Sequence, residues 1–318
     1  MSFASDARGE MVRVPGSQPC CARAELAAAL LFCGGISYHG RDRYSLSVVS
    51  PDAFVVRHYF VLLKSFFGVT GEIRTLRTTQ LRALTRYQLL LPEDKSRPVL
   101  DACGLMEEGA LFGVRLTPSE DILTYACCRK AFLRGAFLLA GAVSNPERSY
   151  HLEFAAPNAS LADYVITSLN YFEIFAKKAC RKAKYVVYLK GGEQIADALA
   201  LMGAKNAMMA LENVRVKKDV RNRVNRQLNC DERNLARQIE NAQALLKDIA
   251  LIEREVGLEH LPASLREMAR VRTEHADSPL AALGDFCDPP IGKSGVNSRL
   301  RRLRQIAQKL RTGEETDI

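Results

Sequence analysis

A chain of 318 residues is longer than one ordinary domain and suits two or three. Its 47% hydrophobic and 25% charged residues can build real cores, and a net charge of +9 points to a polyanionic partner. The longest apolar run, Leu26 to Ile36, is too short to cross a bilayer and directly follows Glu25, which excludes a membrane span and predicts a cytoplasmic protein.

Residues 1–20 show no clear period and read as an N-terminal extension. From Arg23 to about Ile36 an alanine- and leucine-rich stretch predicts a buried helix ending at Gly34 and Gly35. Alternating Tyr44, Leu46 and Val48 predict a strand. Ser50-Pro51-Asp52 opens an amphipathic helix carrying Phe54, Val55, Tyr59, Leu62, Leu63 and Phe66. Strand-like runs follow at Gly71 to Arg77 and at Arg86 to Leu91, and then a polar, helix-rich connection.

The same order returns in the second hundred residues. Ala131 to Val143 predicts a helix ending at Gly141, Tyr150 to Ala155 a strand, Ser160 to Arg181 an amphipathic helix, and Lys184 to Leu189 a strand. Gly34 and Gly141 hold the same place in the two series, so two copies of one unit are expected to pack as a pseudo-dimer.

Beyond Gly203 the strand signals end. Leu235, Ile239, Ala242, Leu246, Ile249 and Ile252 step by three and four along one helix face, with Asp231 as its expected cap and Gly257 as its stop. Pro262 introduces a helix over Ala263 to Val271, and Ser278-Pro279 another that reaches Phe286. Pro289 and Pro290 prevent that helix from running into the last one, which begins near Ser294.

In that last helix Val296, Leu300, Leu303, Ala307 and Leu310 form the inward stripe and throw Ser294, Ser298, Arg301, Arg302 and Gln305 outward, with Asn297 beside them. Ile291 to Arg311 holds seven Lys or Arg and no acid, as a helix laid in the major groove of duplex DNA requires. Expected DNA contacts are Lys293, Ser294, Asn297, Ser298, Arg299, Arg301, Arg302 and Arg304 within a helix-turn-helix from Ser278 to Leu310. Lys217, Lys218, Arg221 and Arg223 form a second basic patch able to meet phosphates.

Nine cysteines include no C-x-x-C. The adjacent pairs Cys20-Cys21 and Cys127-Cys128 have a spacing poorly suited to structural zinc and read as packed free thiols. No metal and no cofactor is therefore expected. Phosphate-loop, H-E-x-x-H and G-x-S-x-G motifs are absent, and no small-molecule substrate is expected.

Arg221-Asn222-Arg223-Val224-Asn225, Asn229-Cys230-Asp231, Leu258-Glu259-His260-Leu261-Pro262 and Pro290-Ile291-Gly292-Lys293-Ser294-Gly295-Val296-Asn297 resemble the C-terminal signature of the WhiA family of bacterial sporulation and cell-division regulators. Arg134-Gly135-Ala136-Phe137-Leu138-Leu139-Ala140-Gly141, with Tyr150-His151-Leu152-Glu153 after it, is similar to the family as well.

The resemblance implies an α+β protein. Its N-terminal half would be a pseudo-two-fold αββαββα duplicate like the LAGLIDADG homing endonucleases, followed by an all-α helix-turn-helix domain related to the promoter-reading region of sigma factors. The expected layout is an extension over 1–20, a LAGLIDADG-like domain over 21–205 (repeats about 21–115 and 125–205), a basic linker over 206–228, a DNA-binding domain over 229–312 and an acidic tail over 313–318.

Laid on the endonuclease motif, His39 and Pro146 stand where metal-binding acids belong. Proline binds no metal, and a lone histidine does not replace a carboxylate pair for Mg²⁺. Gly34, Gly35 and Gly141 are expected to persist because they permit close approach of the motif helices. The resemblance thus implies a non-catalytic, nucleoid-associated, sequence-specific binder of double-stranded DNA, acting in cell division, chromosome segregation or sporulation, whose N-terminal domain binds further DNA or a protein partner. A metal-dependent endonuclease, with Glu147 supplying the missing acid, and a scaffold of the division machinery are the alternatives.

Overall fold

The computed structural model describes residues 2–14, 18–33, 35–78, 84–181 and 184–313. Gly34, one of the motif glycines, and the acidic residues of 314–318 lie outside that set. The chain divides into two units, residues 1–219 and 220–318.

In the first unit, α1 (Phe3–Met11) precedes α2 (Pro19–Cys33), β1 (Ile36–Tyr38), β2 (Tyr44–Ser50), α3 (Ala53–Phe67), β3 (Glu72–Thr78), β4 (Leu84–Leu90) and α4 (Glu93–Ala102). The second copy comprises α5 (Ala126–Ala140), β5 (Gly141–Val143), β6 (Leu152–Ala156), α6 (Ala159–Asn170), β7 (Lys177–Arg181), β8 (Lys184–Leu189) and α7 (Gly192–Met202). Two antiparallel sheets result, ordered β1-β2-β4-β3 and β5-β6-β8-β7. Their identical topology makes the duplication a property of the fold.

The pleat does what the alternation predicts: Tyr44, Leu46 and Val48 are buried on one face of β2, and Leu152, Phe154 and Ala156 on one face of β6. Val48 pairs with Leu89 and Phe154 with Val187, bringing apolar side chains together across each ladder. Helices α2 and α5 pack along one another at the centre of the unit and are buried almost all round.

A carboxylate sits inside this apolar seam. Glu25 on α2, 1% exposed, accepts from Arg134 Nε at 2.9 Å and Nη2 at 2.5 Å on α5, and lies 2.6 Å from His58 Nε2 on α3. Burial pushes its carboxyl up, but the His58 hydrogen bond and the Arg134 charge outweigh that and hold it below the ordinary carboxylate range.

The N-terminal extension contributes to the fold through α1. Helix α1 buries Ala7 and Met11 in the same core, and Arg8 pairs with Asp52 at 3.1 Å. Glu10 accepts from the Asn206 and Ala207 amides at 2.7 and 2.9 Å, at the start of α8 (Lys205–Glu255). A carboxylate there satisfies two amides that no helical carbonyl can reach and meets the positive end of the helix dipole. The shortness of α1 hides this in the sequence, because only its partners reveal which face is covered.

Two further boundaries differ from the sequence reading. The helix expected over 160–181 stops at Asn170, where Glu173 takes a positive φ of 60° and the chain turns back as β7 against β8. Phe172 and Phe175 stay in phase with the helical pattern, so the periodicity runs on through the turn. The basic segment 206–228, within which the boundary between the two units falls, is helical throughout as part of α8, and its Ala207, Leu211 and Val214 are buried in the first unit. Asp231 is no cap, since the helix runs through it, whereas the expected stop is present: Gly257 has φ 87° just beyond Glu255.

The adjacent cysteine pairs also need correcting. Each pair alone is a poor chelate, but α2 and α5 begin side by side, and the Sγ atoms of Cys20, Cys21, Cys127 and Cys128 all lie within 4.8 Å of one another. Among the described residues no helix is long and apolar enough to cross a membrane.

Candidate nucleic-acid interface

The second unit takes the distal part of α8 and adds α9 (Ala263–Glu274), α10 (Leu280–Leu283) and α11 (Lys293–Thr312). A 3₁₀ turn over Gly284–Phe286 extends α10 to the length expected from Ser278-Pro279. Leu245, Ile249 and Ile252 of α8, Leu265, Met268 and Val271 of α9, and Val296, Leu300, Leu303, Ile306 and Ala307 of α11 share one core. The stripe expected on the last helix is therefore its buried side, with Ile306 added. Leu235 and Ile239, expected on the buried face of α8, are instead 58% and 50% exposed.

The connection between α10 and α11 is closed by backbone. Ile291 donates to the Gly284 carbonyl at 3.0 Å, and a Cβ on Gly284 would overlap the Ile291 carbonyl oxygen. Only glycine lets the two segments approach so closely. His275 stacks on Phe286 at 3.8 Å, and the Asp288–Pro289 peptide is cis.

Helix α11 presents Lys293, Ser294, Asn297, Ser298, Arg301, Arg302 and Arg304 to solvent. Among the described residues no side chain caps its first turn, so Lys293 and Ser294 flank open amide donors at the positive end of the dipole. Arg301 and Arg302 follow further along the same helix, as one entering a groove by its N-terminal end requires.

Two of the expected contacts are held within the unit. Arg299 is half-buried and pairs with Glu267 of α9 at 2.9 Å; the Asp288 amide first, and then Arg299, hold the Glu267 carboxyl low. Arg304 donates to the Asn241 carbonyl at 3.0 Å. These arginines orient α11 on its neighbours. Beside its exposed face runs a groove of about 1040 Å³, lined by Ile239, Leu280, Lys293, Asn297 and Arg301. Arg272 also lines it, 3% exposed, donating to the Ser278 carbonyl at 2.8 Å while its Nε finds no partner among the described residues.

In the second basic patch, Lys217, Arg221 and Arg223 are exposed on α8. Lys218 is half-buried, donates to the Pro146 carbonyl at 2.7 Å and lies over the Tyr150 ring. Sequence reasoning misses the basic run of β7 and β8, where Lys177, Lys178, Arg181 and Lys184 are exposed. Their signal is masked where 160–181 reads as one helix.

The motif positions fall into different settings. His39 is exposed beyond β1, 2.7 Å from Ser45 Oγ, and Pro146 is buried. A Cβ on Gly35 would overlap the Ser47 carbonyl of β2, and one on Gly141 the Phe137 ring of its own helix. Neither glycine mediates helix–helix approach. That role belongs to Gly135, whose added Cβ would overlap the Glu25 carbonyl and stand 3.1 Å from Ala28 Cβ.

Three family descriptions match consecutive parts of the chain: the WhiA N-terminal LAGLIDADG-like domain over 19–106, the WhiA LAGLIDADG-like domain over 129–221 and the WhiA C-terminal HTH domain over 224–307. A relative from Desulforamulus reducens named probable cell division protein WhiA is 41% identical over 316 residues, 99% of this chain and 98% of its own. One of the same name from Alkaliphilus metalliredigens is 38% identical over 98% and 99%. The crystal structure of full-length DUF199/WhiA from Thermatoga maritima superposes with a TM-score of 0.59 at 22% identity, over 97% of this chain and 99% of that one, a likeness of fold.

Proposed function

Because this chain belongs to the WhiA family, we infer that it is a DNA-binding regulator of cell division that reads duplex DNA with the exposed face of α11. The observation that carries this reading is a single helix face bearing Lys293, Ser294, Asn297, Ser298, Arg301 and Arg302 without an acidic residue, set on a closed helix-turn-helix. Arginine, asparagine and serine supply donors and acceptors for base edges, and the positive charge supplies affinity for phosphates. In this reading the protein is nucleoid-associated and non-catalytic, acts on division, segregation or sporulation genes, and engages protein partners through its first unit. His39 and Pro146 are the reason for placing no nuclease chemistry there.

Genomic fragments recovered with the protein supply the probe. Arg301→Ala and Arg302→Ala are each expected to cost roughly 1–3 kcal/mol of specific binding and to flatten its salt dependence by about one unit per lost phosphate contact. Arg299→Ala is expected to act through domain stability, because Glu267 loses its partner. Unchanged affinity and salt slope in both surface variants would remove α11 as the reading helix. Plasmid DNA incubated with the protein and Mg²⁺ or Mn²⁺ is expected to stay intact; cutting abolished by Glu147→Gln would restore the endonuclease.

A further inference from the structure

The chain has nine cysteines but only two adjacent pairs, and those pairs occupy the same place in the two repeats. Cys20 is separated from Cys127, and Cys21 from Cys128, by the same step along the chain that relates Gly34 to Gly141. Each pair forms the second and third residues of its helix, α2 or α5. The pseudo-two-fold packing that sets Gly135 against its own counterpart, Ala28, brings the helix starts together as well. We propose that Cys20, Cys21, Cys127 and Cys128 form a tetrathiolate site for one zinc ion, which clasps the two repeats at the N-terminal ends of α2 and α5.

The dimensions are those of a single ion. Zinc–sulfur bonds of about 2.3 Å in a tetrahedron place sulfur atoms about 3.8 Å apart. Here all four Sγ atoms lie within 4.8 Å of one another, and Cys127 and Cys128 stand at 4.0 Å, so small rotamer shifts complete the site. Contacts cross between the helices, Cys21 with Cys127 and Cys128 with Cys20. Four sulfurs with no oxygen ligand select a borderline-soft ion over Mg²⁺ or Ca²⁺. This site is also distinct from the degenerate endonuclease positions, because His39 and Pro146 follow the opposite ends of α2 and α5.

Charge and access fit too. Binding exchanges four thiol protons for one Zn²⁺ and leaves a centre of net charge −2, releasing four protons to solvent. Two helix N-termini direct their positive dipole ends at that charge. Arg23 and Lys130, related by the same repeat step, each follow the first cysteine of a pair by three positions, on the same helix face. Cys21 and Cys128 are buried while Cys127 is exposed, which leaves one open side for entry. Because ligation releases the thiol protons, binding weakens as pH falls.

Full-length protein purified under reducing conditions without chelator is the test. Elemental analysis is expected to find one zinc per chain, and Co²⁺ exchange to give the sulfur-to-cobalt charge-transfer band and visible bands of a tetrahedral thiolate centre. Cys127→Ser is expected to weaken zinc about 100-fold or more, whereas Cys230→Ser, exposed on α8, leaves it unchanged. Should Cys127→Ser fail to fold, thiol titration of the unaltered protein decides: four thiols become reactive on chelation and are protected again on adding Zn²⁺. Metal-free protein that gives no charge-transfer band with Co²⁺ would overturn the proposal. So would a disulfide between α2 and α5 in anaerobically purified protein, or unaltered zinc binding in folded Cys127→Ser.

Discussion

Arg134→Met is expected to lower the stability of the first unit by about 3–5 kcal/mol, because it strands the Glu25 carboxylate in an apolar seam. Glu25 is 1% exposed, and two of its hydrogen bonds come from the Arg134 guanidinium. Its desolvation is met only while that charge and His58 remain beside it. Urea denaturation followed by circular dichroism reads the loss as a shift in midpoint. Removing both partners removes the stranded charge, so Glu25→Met with Arg134→Met is expected to regain most of the loss. A single variant within about 0.5 kcal/mol of the parent, an ordinary surface effect, would show that the pair carries no such energy.

The pH dependence gives a second readout with a definite sign. In the parent, the folded Glu25 carboxyl is held below its unfolded value. Its stabilising contribution is therefore present above the unfolded pKa, near about 4.3, and is lost as pH falls through the lower folded value. In Arg134→Met burial and the His58 hydrogen bond remain while the guanidinium charge is lost, so the folded value moves up from that of the parent. The stability difference between parent and variant is accordingly expected to narrow as pH drops into the carboxyl range, because the parent loses more than the variant does.

Gly135→Val is expected to separate α2 from α5 or prevent the first unit from folding. Even Gly135→Ala should cost about 1–3 kcal/mol. The atom a new Cβ would strike is the Glu25 carbonyl oxygen, part of a helix backbone that no rotamer can move. The comparison substitution is Gly295→Ala in α11, where the nearest atoms stand at an ordinary 3.5 Å. There the change is expected to stabilise by up to about 1 kcal/mol, since alanine is the better helix former. Opposite signs for the same substitution, read from thermal midpoints, would establish that approach distance decides the effect. A neutral Gly135→Ala would refute the tight seam.

Much of the architecture is legible in the sequence because it is written in local patterns. Alternation marks β2, and steps of three and four mark α11. Gly257 and the prolines before α11 mark stops because they act on their own backbone. Duplication is readable from the order of elements, and the outward face of α11 follows from its inward stripe. The same stripe leaves Arg299 and Arg304 at its flanks rather than on that outward face, but it does not say what they meet. Only α9 and α8 supply the Glu267 and Asn241 that engage them.

By itself, then, the sequence determined the repeat, the two kinds of unit and the basic face of the last helix, since each is a periodicity or a turn that neighbouring residues impose. Tertiary structure decided what each face meets. It made α1 a core element, ended α6 at Asn170 and carried α8 through Asp231. It also set Gly135 rather than Gly35 or Gly141 against the partner helix, and it gathered four cysteines from two pairs that lie a whole repeat apart in the chain. Periodicity specifies which side of a helix is apolar but not which atoms will cover it. Those are chosen when distant segments pack, at separations of a few ångströms that spacing along the chain does not record.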